Sequence, residues 1–192
     1  MSSRRCALLL MLILGACGGD SPPRNLDNAC SIVDQRPNYL RAMKKTEKRW
    51  GAPVPVQMAI IHQESKFDSD ARTPHQYALG IIPMGRQSSA YGYAQALDGT
   101  WDEYKRTAGR RSAKRTNIND ATDFIGWYMD RSQTLNGISK YDARNQYLAY
   151  HEGNTGFARG SYRGKSWLVS VSNRVSSRAA LYQAQLKACK KI

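Results

Sequence analysis

The chain has 192 residues, of which 41% are hydrophobic and 23% charged, and its formal net charge is +14. A chain of this length can bury the core of one domain, and its composition argues against wholesale disorder. No apolar run reaches the ~20 residues of a membrane-spanning helix, so the sequence predicts none.

The first predicted element is an N-terminal export signal. Arg4 and Arg5 precede a short apolar run within residues 1–16, which is the order of the regions in a signal peptide. The run ends in the letters LGAC, which resemble the lipobox of bacterial lipoproteins, so we expect cleavage before Cys17 and lipidation of that cysteine. Residues 17–29 are then expected to form a flexible tether. The alternative is an ordinary secretory signal cut nearby, with the cysteine incidental.

A lipid on Cys17 would anchor the mature protein to a membrane without a transmembrane helix. The residue after it is Gly18 rather than Asp. Under the sorting rule for lipoproteins of Gram-negative bacteria, this implies the periplasmic face of the outer membrane. Export also argues against nucleic acid as the partner of the positive charge. The charge then either attracts anionic polymers of the cell envelope or simply keeps the protein soluble.

Helix signals dominate the rest of the chain. Capping and breaking residues predict helices over 38–49, 56–66, 101–107, 120–136, 142–151 and 167–187. Asn38 and Thr100 are the expected caps of the first and third of these helices, and Ser139 with Asp142 forms a capping-box-like start for the fifth. The glycines between 153 and 164 predict an irregular loop, and residues 79–82 are the only candidate strand. The sequence therefore predicts a mostly α, single domain over residues 30–192, with at most a small β-ribbon.

Two cysteines, Cys30 and Cys189, stand near the two ends of this predicted domain. In an oxidising compartment such a pair predicts a disulfide. A bond that closes a loop of ~160 residues is worth about 4–5 kcal/mol by the chain-entropy argument. The chain's histidines lack the spacing of a zinc site, so we expect no metal and no cofactor. They are His62, His75 and His151.

The most informative segment is VQMAIIHQES, at positions 56–65. On a helix, Val56, Ile60 and Glu64 fall four residues apart, so an apolar stripe ends in a carboxylate. Burial against apolar neighbours would raise the pKa of that carboxyl, as a general acid at neutral pH requires. A glutamate near a helix end is more often simply solvated, so this segment needs support from elsewhere in the chain.

Two further motifs supply that support: the turn YGYAQ at 91–95 and the helix end AYHEG at 149–153. With the Gln-Glu-Ser that ends at Ser65, their order and spacing resemble the soluble lytic transglycosylase domain, a lysozyme-like family that includes goose-type lysozymes. The likeness covers about residues 39–156, and it is closest to envelope lipoproteins that carry this domain. It implies a lysozyme-like fold and a peptidoglycan substrate, whose stem peptides carry carboxylates.

Matched by position, the resemblance implies a role for each motif residue. Glu64 would be the catalytic acid/base, Ser65 would help hold its geometry, and the Tyr150 hydroxyl would reach toward Glu64. Gly92 and Gln95 match a turn that lines the saccharide cleft. The expected substrate-binding set is completed by Tyr91, Tyr93, His151 and Gly153.

The motifs also depart from the family pattern. Tyr93-Ala94 stands in place of Leu-Met, and His151 in place of the Asn that follows the motif tyrosine. His151 is therefore a polar replacement, a pH-sensitive contact or a core residue. The stretch before the turn is long, and its part from Thr73 to Ser88 would be a lid, a docking element or a plain insertion.

The matched motifs supply one carboxylate, whereas ordinary glycosidases need two. We therefore hypothesise that Glu64 acts alone, assisted by the N-acetyl group of the sugar, and leaves a 1,6-anhydromuramyl end. The alternative is a hydrolase in which Asp98, Asp102 or Glu103 places a water, although acidic residues also suit the first turn of a helix. A further alternative is a non-catalytic lipoprotein that binds peptidoglycan. We expect a monomer.

Overall fold

Helices form nearly all the regular structure of residues 21–192, the part of the chain that the computed structural model describes. The elements are α1 (Ala29–Gln35), α2 (Pro37–Trp50), α3 (Val54–Ser65), β1 (His75–Ala78), β2 (Ile82–Arg86), α4 (Asp98–Thr107), α5 (Ile118–Asn136), α6 (Ala143–Ala158) and α7 (Ser166–Ala188), with a 3-10 helix (Ser161–Gly164) before α7. The mostly α prediction is confirmed. The predicted signal peptide and lipidation site lie outside the described residues.

Two predicted helix starts are wrong. Asn38 and Thr100 were expected to cap helices, yet both lie inside the helix, because α2 begins at Pro37 and α4 at Asp98. The start of α2 needs no side-chain cap at its first residue, since proline has no N–H to satisfy. The start predicted for α6 is displaced as well. Ser139 was expected to open a capping box with Asp142 three residues on, but α6 begins at Ala143 and Asp142 itself is the cap, accepting a hydrogen bond from the backbone N–H of Asn145.

The loop predicted over the glycines from 153 onward is also wrong. Helix α6 continues to Ala158 and bends at Gly153, where φ is 76° and ψ is 154°. Glycine adopts this conformation without steric cost, so the backbone changes direction and then resumes a helix. The bend turns the end of α6 toward the 3-10 helix and the start of α7.

The predicted strand at 79–82 is mostly the turn of a β-hairpin. Strands β1 and β2 lie on either side of it and pair antiparallel, with His75 opposite Arg86 and Ala78 opposite Ile82. Leu79 has a positive φ of 51°, which suits a turn rather than a strand. The small β-ribbon is therefore present, but it is a hairpin over residues 75–86, longer than the segment 79–82 that the sequence indicated.

Helix α3 is the centre of the core. Its residues from Val54 to His62 are buried on every side, which is typical of a helix enclosed by others rather than of an amphipathic surface helix. Helix α7 packs along α3, α6 packs on α7 and α5, and α2 packs on α5. The last turn of this enclosed helix is therefore held firmly from several directions.

The predicted disulfide is present and joins Cys30 in α1 to Cys189 just after α7. The segment before α1 also lies against α7: Arg178 donates to the Asp27 carboxylate at 2.7 Å, and Tyr182 donates to the Leu26 carbonyl. The two ends of the described chain are thus fastened together. Among the helices of residues 21–192, none is both long and apolar enough to cross a membrane.

Candidate active site

Glu64 lies in the last turn of α3. The helix ends directly after it, with Lys66 in the left-handed conformation (φ 55°). The carboxyl group is partly covered and meets Tyr147 of α6. Burial raises the pKa of the Glu64 carboxyl to about 7, and the hydrogen bond from Tyr147 and the charge of Lys66 oppose this increase. The carboxyl group is therefore close to half protonated at neutral pH.

The tyrosine that contacts this carboxyl group is Tyr147. Its hydroxyl donates a hydrogen bond to Glu64, and burial followed by the Glu64 charge raises the pKa of Tyr147 far above 10, so the phenol keeps its proton. The sequence analysis missed this residue. Tyr147 precedes the motif residue Tyr150 by one helical turn and so shares its face of α6, which is the signal that would have found it.

Tyr150 holds the neighbouring turn in place. Its hydroxyl donates to the Ala94 carbonyl at 2.5 Å, and its ring packs against Phe124 and Tyr128. The Glu64 charge contributes, after burial, to raising the pKa of Tyr150, so the two groups lie close together. The hydrogen bond to the Glu64 carboxyl group comes from Tyr147.

Ser65 links α3 to the same turn. Its buried hydroxyl lies 2.9 Å from the Tyr93 carbonyl and 3.3 Å from the Ile61 carbonyl, so it can donate to either. This contact joins the residue after Glu64 to the YGYAQ motif. The serine hydroxyl thus ties the end of α3 to this turn.

Gly92 and Gln95 shape that turn from within. A Cβ atom on Gly92 would lie 2.4 Å from the Arg115 carbonyl oxygen, and φ at Gly92 is 75°, so only glycine fits. The Gln95 side-chain amide donates to the carbonyls of Ala71 and Gly92, each at 2.8 Å. The turn is therefore rigid before any substrate arrives.

A cavity of about 240 Å³ lies beside Tyr150. Four of the predicted site residues line it together: Gln95, Tyr150, His151 and Gly153. Tyr93 does not, since only 1% of it is exposed and its hydroxyl lies 2.9 Å from that of Tyr39 in the core. Tyr93 was expected to contact the sugar, but its ring points into the core.

Tyr91 lies apart from this cavity. Its hydroxyl donates to the Asp70 carboxylate at 3.0 Å, and the Arg72 guanidinium sits 3.8 Å from its ring centre. It lines a separate shallow depression with Trp101 and Arg115. The structure therefore brings Tyr91 near the YGYAQ turn but not to the cavity at Tyr150.

A second carboxylate, Glu152, borders the cavity and was missed by the sequence analysis. It accepts hydrogen bonds from Lys165 at 2.8 Å and from the Ser161 hydroxyl, and His151 Nδ1 lies 3.1 Å away. These contacts, led by Lys165, lower the pKa of Glu152 to about 2. The His151 ring also packs edge-on against Trp167. His151 is exposed and contacts Glu152, so it is not a core residue.

The three acidic residues considered for placing a water are all in ion pairs. Asp98 contacts Arg115 at 2.6 Å, Asp102 contacts Lys105 at 2.9 Å, and Glu103 contacts Arg131 at 2.8 Å. Within residues 21–192, no cluster of three or more His, Cys, Asp or Glu side chains has the arrangement of a metal site.

A family model described as the transglycosylase SLT domain matches residues 5–189. It spans the three motifs, all seven helices and the hairpin. No curated protein matches the chain.

Proposed function

This chain belongs to the transglycosylase SLT domain family, whose activity is lytic cleavage of peptidoglycan, and we propose that Glu64 is its single catalytic acid/base. The observation that carries the proposal is the environment of this carboxyl group. It is withdrawn from water at the end of a buried helix, it has a pKa of about 7, and a protonated phenol contacts it. The same group can therefore give up a proton and later take one back.

The proposed reaction needs no second carboxylate. Protonated Glu64 donates its proton to the oxygen that joins N-acetylmuramic acid to N-acetylglucosamine, and the bond from that oxygen to the anomeric carbon breaks. The acetamido oxygen of the muramic acid stabilises the anomeric carbon meanwhile. Ionised Glu64, supported by the Tyr147 hydrogen bond, then takes the proton of the C6 hydroxyl. The C6 oxygen bonds to the anomeric carbon and closes a 1,6-anhydro ring, with no water consumed.

The ion pairs of the nearby acids favour this route over hydrolysis. A general base must hold a free lone pair toward the attacking water, and Asp98 is bound to Arg115 at 2.6 Å. Glu152 borders the cavity but its oxygens are occupied by Lys165 and Ser161. A hydrolase of the same bond is the second candidate, with Asp98, Asp102 or Glu103 released from its ion pair to place the water.

A digest of purified sacculi tests the proposal. Glu64→Gln should lower the rate by about 10²–10⁴-fold, since the loss of a general acid or base costs that much. Mass spectrometry of wild-type products should show anhydro ends, which are lighter than reducing ends by one water. Glu103→Gln is the matched control and should keep the wild-type rate. Full activity of Glu64→Gln would refute the assignment, reducing ends would indicate a hydrolase, and an inactive wild-type protein that still binds sacculi would indicate a binding protein.

We propose further that the protein is a lipoprotein of the outer membrane. In this arrangement residues 1–16 are the signal peptide, Cys17 carries the lipid, residues 17–29 connect it to the domain over 30–192, and the domain acts as a monomer on nearby glycan strands. The export context agrees with the disulfide between α1 and the end of α7. Cys17→Ser should release the protein from the membrane fraction; if the variant stays there, lipid is not the anchor.

A further inference from the structure

A groove of about 570 Å³ runs between α3 and α7, along the last two turns of α3 and Lys66, which follows them. Its α7 wall extends from Ser170 to Leu181, a length of about 16 Å at 1.5 Å per residue. Gln63 and Asn173 contribute amides to opposite walls. The groove therefore has hydrogen-bonding groups on both walls beside its apolar residues, and it is distinct from the cavity at Tyr150.

The groove carries unbalanced positive charge. Three cations line it: Lys66, Arg174 and Arg178. Arg178 is paired with Asp27 at 2.7 Å, whereas Lys66 and Arg174 have no ion pair within residues 21–192. Burial, followed by repulsion from the two arginines, lowers the pKa of Lys66. Cations held together in this way are unfavourable by themselves, and an anionic ligand would relieve the repulsion.

His62 lies in the floor of the same groove and stays neutral. Its pKa is lowered to about 4, first by burial and then by the charges of Lys66 and Arg178, with Asp27 acting weakly in the opposite direction. A neutral imidazole can accept as well as donate a hydrogen bond. The groove therefore offers both cations for carboxylates and neutral groups for an amide backbone.

The groove adjoins the Glu64 site. Lys66 acts on the charge of Glu64, and Arg174 acts on Tyr147, the phenol that contacts Glu64. In peptidoglycan the stem peptide is attached to the muramic acid whose bond is cleaved, so it must leave the site close to the reacting sugar. A groove of about 16 Å accommodates roughly five extended residues.

We propose that this groove between α3 and α7 binds the stem peptide of the cleaved strand through its carboxylates, with Lys66 and Arg174 as the principal cations. The proposal rests on the function proposed above, because it takes peptidoglycan as the substrate. It assigns the positive charge of the chain a specific partner in place of general solubility. The neighbouring amides would hold the peptide backbone.

A binding experiment on the intact folded protein tests it. The probes are a disaccharide–peptide fragment of peptidoglycan and the same fragment with its carboxylates amidated, titrated by calorimetry. Arg174→Gln should weaken binding of the first probe at least about tenfold, as expected for one lost charge-assisted hydrogen bond. Amidation should weaken binding to wild type by a similar factor. Arg174 is exposed on α7, and Lys187→Gln on the same helix is the matched control that should change nothing.

Each other outcome overturns the proposal. Equal affinity for the amidated probe would show that carboxylates are not recognised, as would unchanged affinity in Arg174→Gln, and no binding of either probe would remove the site. Inorganic polyphosphate bound as tightly as the fragment, with the same loss in Arg174→Gln, would indicate a general polyanion surface instead.

A kinetic measurement separates this proposal from the catalytic one. Arg174→Gln should raise KM for glycan strands that carry peptides and leave KM unchanged for strands stripped of peptides by an amidase. Equal KM changes on both substrates would contradict a peptide site. If Glu64→Gln retained full activity, the catalytic assignment would fail, whereas the binding result with the fragment would still decide the groove.

Discussion

Glu64 and Glu152 show how two environments give one side-chain type opposite properties. Glu64 lies beside the phenols of Tyr147 and Tyr150, has no ion pair within residues 21–192, and has a pKa that burial raises to about 7. The Glu152 side chain is only 4% exposed, yet Lys165, Ser161 and His151 contact it and its pKa is lowered to about 2. Burial therefore does not by itself make an acid. A buried carboxyl group without a paired cation has a raised pKa and stays protonated to higher pH, whereas one paired with a cation has a lowered pKa and stays ionised.

The largest expected difference between the two glutamate environments is in how the free energy of unfolding depends on pH at Glu64. The folded pKa of Glu64 lies above its unfolded value, so its contribution is fully present below about pH 4.5 and is lost as pH rises through about 7. Glu64→Gln cannot ionise and should gain, relative to wild type, up to about 3 kcal/mol between these pH values. Urea unfolding of both proteins at pH 4 and pH 8 measures this. An identical difference at the two pH values would show that the carboxyl group is not desolvated.

Removal of the cation should convert the Glu152 environment toward that of Glu64. Lys165→Met leaves a largely buried carboxylate without its main partner, and we expect a loss of about 1–2 kcal/mol at pH 7. Because the folded pKa of Glu152 is lowered, this stabilisation exists above its unfolded pKa and disappears as pH falls toward 2. The difference between the thermal melts of variant and wild type should therefore be smaller at pH 3 than at pH 7. Lys187→Met is the exposed control.

Tyr147→Phe sharpens the assignment of the phenol. Its hydrogen bond favours the ionised form of Glu64, so its removal should move the alkaline limb of the pH–rate profile to higher pH by about one unit. Tyr150→Phe, which loses a bond to the Ala94 carbonyl, should leave the position of that limb almost unchanged. If Tyr150→Phe shifts the limb and Tyr147→Phe does not, the roles of the two tyrosines are reversed.

The smallest effect is expected at His151. Lys165 and Ser161 already satisfy Glu152, so His151→Gln should change the free energy of unfolding by no more than about 0.5 kcal/mol. Glu152 should stay ionised, and the pH dependence of stability between pH 5 and 8 should match wild type. A new transition in this interval would mean that the histidine, and not the lysine, holds the carboxylate.

Local chemistry in the sequence determined much of this protein. The apolar run that ends at Glu64, the cysteines at the two ends and the three motifs were all readable, because periodicity and motifs act over a few residues. These features were sufficient to indicate a mostly α fold, the family and a candidate acid.

The tertiary structure decided what those residues contact. Tyr147 rather than Tyr150 donates to Glu64, Tyr93 is buried, and Glu152 meets Lys165. These outcomes depend on how α6 lies against α3 and α7, whose residues are distant in the chain, and no local pattern encodes which of two tyrosines one turn apart meets a carboxylate. The groove between α3 and α7 has the same origin, since its cations come from two helices that only packing brings together.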